Sequence, residues 1–357
     1  MKKRYLVLAD GTVFEGQAFG AEGDVIGEVV FTTGVCGYIE TLTDPSYYGQ
    51  IVMQTFPMIG NYGIIEEEFE GDCHVRGYVV REWCDAPSNF RCQYDVDTFL
   101  KKKGVPGLCG VDTRAITKVI REHGVMNGII CDELPADLSA VKAYRVEKAV
   151  EAVTCPEPIV YPALTDEKYH VTLIDYGTKK NIITLLRKAG CTVRRVPAST
   201  PAEEILAGHP DGIMLSNGPG DPADNSFCIE QIRKLMGTVP IFGICLGHQM
   251  TALAAGGSTV KLKYGHHGSN QPVCHVSDRR HFITCQNHNY AVVGDSIKNG
   301  VVSFVNANDQ TCEGVDYPEL KAFTVQFHPE ARSGPHDTEK LFDRFIAMME
   351  ENGYAAE

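Results

Sequence analysis

Cys245 lies in Phe242-Gly243-Ile244-Cys245-Leu246-Gly247-His248, between a short apolar run, Val239-Pro240-Ile241, and a helix-like stretch beginning Gln249-Met250-Thr251-Ala252. A strand, a sharp Gly-x-Cys-x-Gly turn and a helix make a nucleophile elbow. The glycines let the chain turn tightly and keep side chains away from the thiol. At a helix N-terminus the dipole and free N–H groups favour thiolate, the reactive form. The pattern therefore points to covalent acyl chemistry. The plainer alternative is a buried structural cysteine at a strand end, a common place for free Cys. The two flanking glycines and the strand–helix context favour the nucleophile.

A cysteine nucleophile needs a base, and the base needs a group that orients it. The chain has 12 histidines. His328 is the best placed of them by local sequence, in Phe323-Thr324-Val325-Gln326-Phe327-His328-Pro329-Glu330. An apolar strand runs out into His-Pro-Glu. Pro329 restricts His328 to extended conformations, and a spacing of two aims His328 and Glu330 to one side. Glu330 then fixes the imidazole tautomer, as the acid does in a Ser-His-Asp triad. His-x-Glu alone is also what a strand-end His beside a surface Glu looks like; its weight comes from the elbow.

Ser216-Asn217-Gly218-Pro219-Gly220-Asp221-Pro222 follows the apolar run Gly212 to Leu215. Such a rigid loop exposes N–H groups and suits a developing oxyanion. A tight turn or a phosphate nest reads equally well there. There is no Gly-Lys-Ser/Thr of a P-loop, and no Gly-x-Gly-x-x-Gly after any strand. His266-His267, in a Gly-flanked loop, reads as loop polar groups and not as a metal site.

These groups need elements to hold them. Residues 1 to about 100 show short β-like runs separated by glycine turns: Tyr5 to Ala9, Val13-Phe14, Val29 to Phe31, Gln50 to Gln54 and Tyr78 to Val80. They predict a β-rich region with hairpins. One helix there is clear, with Asp112 as N-cap, Ala115, Ile116, Val119 and Ile120 on one face, and Gly124 as stop. Lys101 to Lys103 and Glu66 to Glu68 read as solvated charge runs. Residues 154–168, with three prolines and no periodicity, read as a linker. Domain 1–153 thus precedes domain 169–357. From 169 on, strands alternate with helices: strand His170 to Ile174, helix Lys179 to Lys188, strand Cys191 to Val196, helix Pro201 to Leu206, strand Gly212 to Leu215 and helix Asp224 to Met236. This alternation implies a doubly wound, mainly parallel α/β sheet. Residues 272–327 look hairpin-like, and a last helix begins near Asp337.

Composition narrows the class. The chain has 357 residues, 43% hydrophobic and 22% charged, which fits two globular domains. A net charge of −13 argues against a nucleic-acid or anionic-membrane surface. The apolar stretch after Met1-Lys2-Lys3-Arg4 is too short for a signal core. Thirteen cysteines, an odd number with no Cys-x-x-Cys, point to free thiols in a reducing cytoplasm.

Asn217-Gly218-Pro219-Gly220, Gly243 to Gln249 and His328-Pro329-Glu330, in that order, resemble a class I (triad) glutamine amidotransferase domain. The resemblance implies Cys245 as nucleophile, His328 as base and Glu330 as its orienter. It implies an oxyanion hole from the Gly220 and Leu246 N–H groups, and a Gln249 contact to glutamine. Over nearly the whole chain the sequence resembles the small-subunit family of carbamoyl-phosphate synthetase. Leu42-Thr43-Asp44-Pro45-Ser46-Tyr47, Gly60-Asn61 with Gly63, Gly110 to Arg114, Tyr264 to Gly268 and Gln286-Asn287-His288 carry that likeness. It implies a glutamine pocket lined by Ser46, Gly218, Gly220, Leu246, Gln249, Asn287, Asn289 and Tyr290. In the family pattern the last two are Gly and Phe. Asn accepts left-handed backbone better than most residues, which would keep a glycine-like conformation at 289. The change bears on pocket detail and glutamine affinity, not on the reaction.

The function implied is hydrolysis of L-glutamine through a Cys245 thioester, with ammonia delivered to a large subunit in a heterodimer or higher oligomer. The large subunit would make carbamoyl phosphate from bicarbonate and ATP for arginine and pyrimidine biosynthesis. No cofactor is expected on this chain; ATP and Mg are expected on the large subunit. One rival is an amidotransferase subunit of another synthase, which needs no 150-residue amino-terminal domain. The other is a catalytically silent regulatory scaffold, against which the intact Cys245, His328 and Glu330 stand.

Overall fold

The computed structural model describes residues 2–356, which form two compact units. The first comprises residues up to Glu147 together with Lys263–Gly268; the second comprises Lys148–Leu262 and the residues from Ser269 onward.

In the first unit seven strands close into a barrel: β1 (Lys3–Leu8), β2 (Val13–Gly20), β3 (Val25–Thr32), β4 (Gln50–Gln54), β5 (Gly77–Val79), β6 (Pro106–Cys109) and β7 (Met126–Cys131). Their order around the barrel is β1-β2-β6-β5-β4-β3-β7, so no edge is left open. The two-residue period of a strand splits its side chains between two apolar clusters. Val29 and Phe31 of β3 and Ile51 and Met53 of β4 join Leu6, Leu8 and Ile130 in one. Val30 and Val52 join Tyr78, Phe99 and Leu100 in the other. Both faces of β4 are covered, which is why all five of its residues are buried. Helix α1 (Val96–Lys103) ends in the exposed run Lys101 to Lys103. The expected helix is α2 (Thr113–His123), with Asp112 Oδ1 accepting from Ala115 N at 3.0 Å and Gly124 closing it. Glu67 and Glu68 pair at the surface with Arg91. Lys263–Gly268 returns to this unit, where Lys263 O accepts from Val125 N and His267 O from Thr33 N.

The second unit is built on one ten-stranded sheet. Its parallel centre holds β9 (Tyr169–Asp175), β10 (Cys191–Pro197), β11 (Gly212–Leu215), β12 (Ile241–Ile244) and β17 (Ala322–Val325). The antiparallel side holds β13 (Thr259–His275), β14 (His281–Val292), β15 (Val301–Asn306) and β16 (Cys312–Tyr317). Strand order is β8-β10-β9-β11-β12-β17-β16-β14-β13-β15, where β8 is Ile159–Tyr161.

Helices cover both sheet faces. α3 (Lys180–Lys188) and α6 (Leu341–Ala356) pack Ile182, Leu186, Phe342 and Phe345 against Leu173, Met214 and Phe242. On the other face α4 (Ser226–Leu235) and α5 (Leu246–Ala254) bring Ile232, Leu235 and Met250 to Ile213, Leu215 and Ile241. Each such side chain, fully buried, contributes on the order of 1.5–3 kcal/mol. The doubly wound sheet is therefore as expected.

Three expectations change in detail. Residues 154–168 are more than a connector: Ile159–Tyr161 pairs antiparallel with β10 as the sheet's edge, a place where flanking prolines cost no ladder bond. The contact boundary lies at 147/148, ahead of helix Ala149–Val153, which packs Val150 into the second unit's core. The last helix begins at Leu341, after turns over residues 337–340.

Candidate active site

Strand order in the second unit reverses between β10 and β11, on either side of β9. Loops outside the carboxyl ends of parallel strands at such a switch form binding crevices. Three loops meet this description: 175–179 after β9, 216–220 after β11, and the Cys245 turn after β12. Residues 326–330 follow β17 on the same edge.

Cys245 takes φ 53° and ψ −102° between β12 and α5. A non-glycine residue held in so sparse a region costs on the order of 1–3 kcal/mol, and such strain gathers at functional sites. The tight turn thus falls on the cysteine itself, not on its glycine neighbours. Gly243 and Gly247 serve a different need, close approach. A Cβ on Gly247 would stand 2.6 Å from Leu215 O, and one on Gly243 2.9 Å from Thr324 Cγ2. Cys245 N donates to Val325 O at 2.8 Å, continuing the β12–β17 ladder beyond Ile244. Its thiol is buried at 2% exposure and donates to Asn287 O at 3.7 Å.

The β12–β17 pairing brings His328 to the same edge as Cys245, and His328 N donates to Cys285 O at 2.9 Å. His328 Nδ1 stands 2.6 Å from Glu330 Oε1, and both side chains are fully buried. A carboxylate on Nδ1 keeps the proton there, so Nε2 is the basic nitrogen. Nε2 is buried with no protein partner among the described residues.

Sequence reasoning missed one member of this group. Lys179 Nζ lies 3.1 Å from His328 Nδ1 and 3.3 Å from Glu330 Oε1. Burial alone would raise the Glu330 pKa, but the His328 and Lys179 charges outweigh it and hold the carboxyl at about 2. Glu330 is therefore a carboxylate throughout the neutral range. Asn181 Nδ2 adds a bond to Glu330 O at 2.5 Å.

Lys179 is positioned by the end of β9. Asp175, fully buried, accepts from Gly177 N and Thr178 N at 3.0 and 2.8 Å and from Arg195 Nε at 2.9 Å. Burial opposes its ionisation; the Arg195 guanidinium and the N–H donors prevail and hold its carboxyl below the ordinary value. Lys179 N donates to Asn217 Oδ1 at 3.1 Å, tying this loop to the next. The only local signal for Lys179 was Asp-Tyr-Gly-Thr-Lys after a strand.

The loop 216–220 follows β11, as expected. A Cβ on Gly218 would meet Tyr176 O at 2.3 Å and Leu246 Cδ2 at 2.8 Å, so the glycine is required. Gly220 takes φ +92°. The Gly220 and Leu246 N–H groups have no protein acceptor among the described residues. Leu246 opens α5, whose first N–H groups lack intrahelical partners.

Gln249, one turn into α5, donates from Nε2 to Tyr290 O at 2.7 Å and to Gln326 Oε1 at 2.9 Å. β14 thus supplies Asn287 O to the thiol and Tyr290 O to Gln249. Asn289 is an extended, nearly buried residue of β14 and its φ is not positive, so no glycine-like conformation is required there. Ser46 belongs to the first unit, in the 3-10 turn Pro45–Tyr47 capped by Asp44.

Residues 6–130 match the family model for the carbamoyl-phosphate synthase small chain, CPSase domain, and residues 172–348 match that for class-I glutamine amidotransferase. A carbamoyl phosphate synthase small chain from Syntrophotalea carbinolica is 48% identical, over 98% of each chain. The chain belongs to the carbamoyl phosphate synthase small-chain family. A small chain from Listeria monocytogenes is 49% identical over 98% of this chain and 97% of its own. A pyrimidine-specific small chain from Halalkalibacterium halodurans is 47% identical over 99% of both. The two family models fall on the two halves of the small chain, and its class-I amidotransferase half holds Cys245, His328 and Glu330. All 13 cysteines are free. Among the described residues no helix is long and apolar enough to cross a membrane.

Proposed function

We propose that this chain hydrolyses L-glutamine and delivers ammonia to a large carbamoyl phosphate synthase subunit. The observation that carries this reading is the gathering of Cys245, His328 and Glu330 at one carboxyl edge, with Nε2 of His328 unengaged.

In this reading His328 Nε2 takes the thiol proton, and Cys245 Sγ attacks the side-chain amide carbon of glutamine. The Gly220 and Leu246 N–H groups receive the negative charge on the amide oxygen. His328 returns its proton to the departing nitrogen, ammonia leaves, and a γ-glutamyl thioester remains. A water molecule, deprotonated by His328, cleaves the thioester to glutamate and restores the thiol. Glutamine and water thus become glutamate and ammonia. Gln249 engages both its bonds through Nε2, which leaves Oε1 to accept from the substrate's α-ammonium. Asn287, Asn289 and Tyr290, on the strand beside Gln249, line the same pocket in this reading. The large subunit binds ATP and Mg and consumes the ammonia with bicarbonate. The product serves pyrimidine biosynthesis, named for one relative, and arginine biosynthesis.

The test is steady-state glutamine hydrolysis by the isolated chain, then titration with a large subunit, bicarbonate and ATP. Turnover that rises with the partner, and a complex by size-exclusion chromatography at micromolar concentration, are expected. No hydrolysis under any condition would overturn the reading in favour of a silent scaffold.

A further inference from the structure

Three loops of the candidate site meet at one buried serine whose hydroxyl takes no part in the glutamine chemistry. Ser216, the first residue after β11, has no exposed surface. Its Oγ accepts from Tyr176 N at 2.8 Å, in the loop after β9. The same hydroxyl donates to Asn217 O at 2.8 Å, in its own loop. The Ser216 carbonyl accepts from Gly247 N at 3.1 Å, at the start of α5. Ser216 N donates to Ile174 O at 3.3 Å, which continues the β9–β11 pairing past Leu215.

The backbone bonds come with the strand pairing and the turn at Cys245, and any residue at 216 would make them. The hydroxyl bonds need a short side chain that donates and accepts at once, which serine supplies. By bridging Tyr176 N and Asn217 O, the hydroxyl sets the plane of the peptide that joins Asn217 to Gly218. Gly220 N–H follows closely along the chain. Little freedom separates the two. Gly218 stands against Tyr176 O and Leu246 Cδ2 with no room for a side chain, and the ring of Pro219 fixes its own φ. The loop after β9 has other anchors, since Asp175 Oδ1 accepts from both Gly177 N and Thr178 N. Loss of the hydroxyl therefore falls on the loop 216–220.

We infer that Ser216 is a positioning residue for the oxyanion hole: its hydroxyl fixes the Asn217 carbonyl and, through it, aims the Gly220 N–H at the charge that develops on the amide oxygen. The inference rests on the reading of the Gly220 and Leu246 N–H groups as that hole. Such donors act on the transition state and little on bound glutamine. Ser216→Ala removes none of the hydrogen bonds described for the side chains of Cys245, His328 and Glu330.

In glutamine hydrolysis by the full chain, Ser216→Ala is expected to lower kcat on the order of tenfold, with KM within about threefold. Complete loss of such a donor costs roughly 10²–10³-fold. The pH midpoint of kcat/KM, set by His328, is expected to stay where it is. Glutamate γ-semialdehyde reports on the hole directly. The Cys245 thiol adds across its aldehyde, sulfur bonding to carbon, and the former carbonyl oxygen takes the place of the oxyanion. Its inhibition constant is expected to rise by about the factor by which kcat falls. Methyl methanethiosulfonate reacts with a thiol without forming an oxyanion. Its rate at Cys245, followed by mass spectrometry on the peptide carrying that residue, is expected to be unchanged. Ser216→Cys keeps a weaker donor and acceptor in place and is expected to lose only about threefold in kcat; it carries the comparison should Ser216→Ala not fold. An unchanged kcat in the folded variant overturns the inference. So does a fall in kcat with unchanged aldehyde inhibition, or an equal fall in the rate at Cys245, which would mean that the nucleophile itself has moved. An unmodified chain that neither hydrolyses glutamine nor binds the aldehyde would overturn the proposed function and this inference with it. Hydrolysis and inhibition that are present and equal in both chains would overturn this inference alone.

Discussion

His328 Nδ1 and Glu330 Oε1 are 2.6 Å apart, both without exposed surface, and Lys179 Nζ sits within 3.3 Å of each. The carboxylate and the ammonium meet at one nitrogen of the imidazole, Nδ1. Glu330 fixes the tautomer and favours the imidazolium formed in the reaction; Lys179 neutralises part of that carboxylate charge. Removing the His328 and Glu330 side chains should therefore have unequal effects.

His328→Asn should be nearly as damaging as loss of Cys245, because His328 moves the protons. Glu330→Gln should retain more activity, by about tenfold or more, since Glu330 only orients and stabilises. Single-turnover ammonia release from the two variants measures the gap. Equal and mild losses would place the base elsewhere.

Acid stability should report Glu330. Its folded pKa of about 2 lies below the ordinary 4.5. Its contribution is therefore complete above about pH 4.5 and lost as pH falls toward 2, where the unfolded chain binds a proton that the folded chain refuses. Urea midpoints from pH 5 to pH 3 should fall less steeply in Glu330→Gln, by up to about 1.4 kcal/mol per pH unit. Parallel curves would mean that Glu330 takes up a proton in the folded chain as readily as in the unfolded one.

His248 should act in a higher window. It is fully buried on α5 with Nδ1 2.8 Å from Thr324 Oγ1, and burial lowers its pKa from 6.5 to about 3. A depressed histidine gives stability above its unfolded pKa that is lost as pH falls from about 6.5 toward 3. His248→Asn should remove that slope from urea midpoints measured between pH 7 and pH 5. A variant as pH-sensitive as the unmodified chain would show that His248 charges without cost.

The elbow glycines make a packing prediction. Gly247→Ala sets a Cβ 2.6 Å from the Leu215 carbonyl and should cost on the order of 1–3 kcal/mol as an overpacked site. It should also slow hydrolysis by shifting Cys245. Gly353→Ala, with open space around it on α6, should cost nothing and gain up to about 1 kcal/mol of helix propensity. Denaturant midpoints of the two variants compare them directly. A harmless Gly247→Ala would mean that α5 moves away from β11 easily.

The sequence disclosed those parts whose cause is local. β11 matches the expected Gly212 to Leu215 because a four-residue apolar run, buried on both faces, is marked by its composition. α2 is legible from Asp112 and Gly124, which act within one turn of its ends. Cys245 and the His328–Glu330 pair were legible because spacing alone sets their side chains. Lys179 was not: it reaches His328 across a separation of 149 residues, set by strand order in the sheet. β8 was hidden by its prolines, which an edge strand tolerates. The left-handed residue was misplaced because glycines ordinarily take that conformation; here close contact with Leu215 and Thr324 claims the glycines and the turn falls on Cys245.

The central claim is a γ-glutamyl thioester on Cys245. The chain is mixed with isotopically labelled glutamine, quenched in acid within the first turnover, digested and examined by mass spectrometry. The account predicts one glutamyl group on the peptide carrying Cys245, lost on mild base treatment and absent from Cys245→Ser. Steady ammonia release with no glutamyl group on that peptide, or with the label on another cysteine, would contradict it.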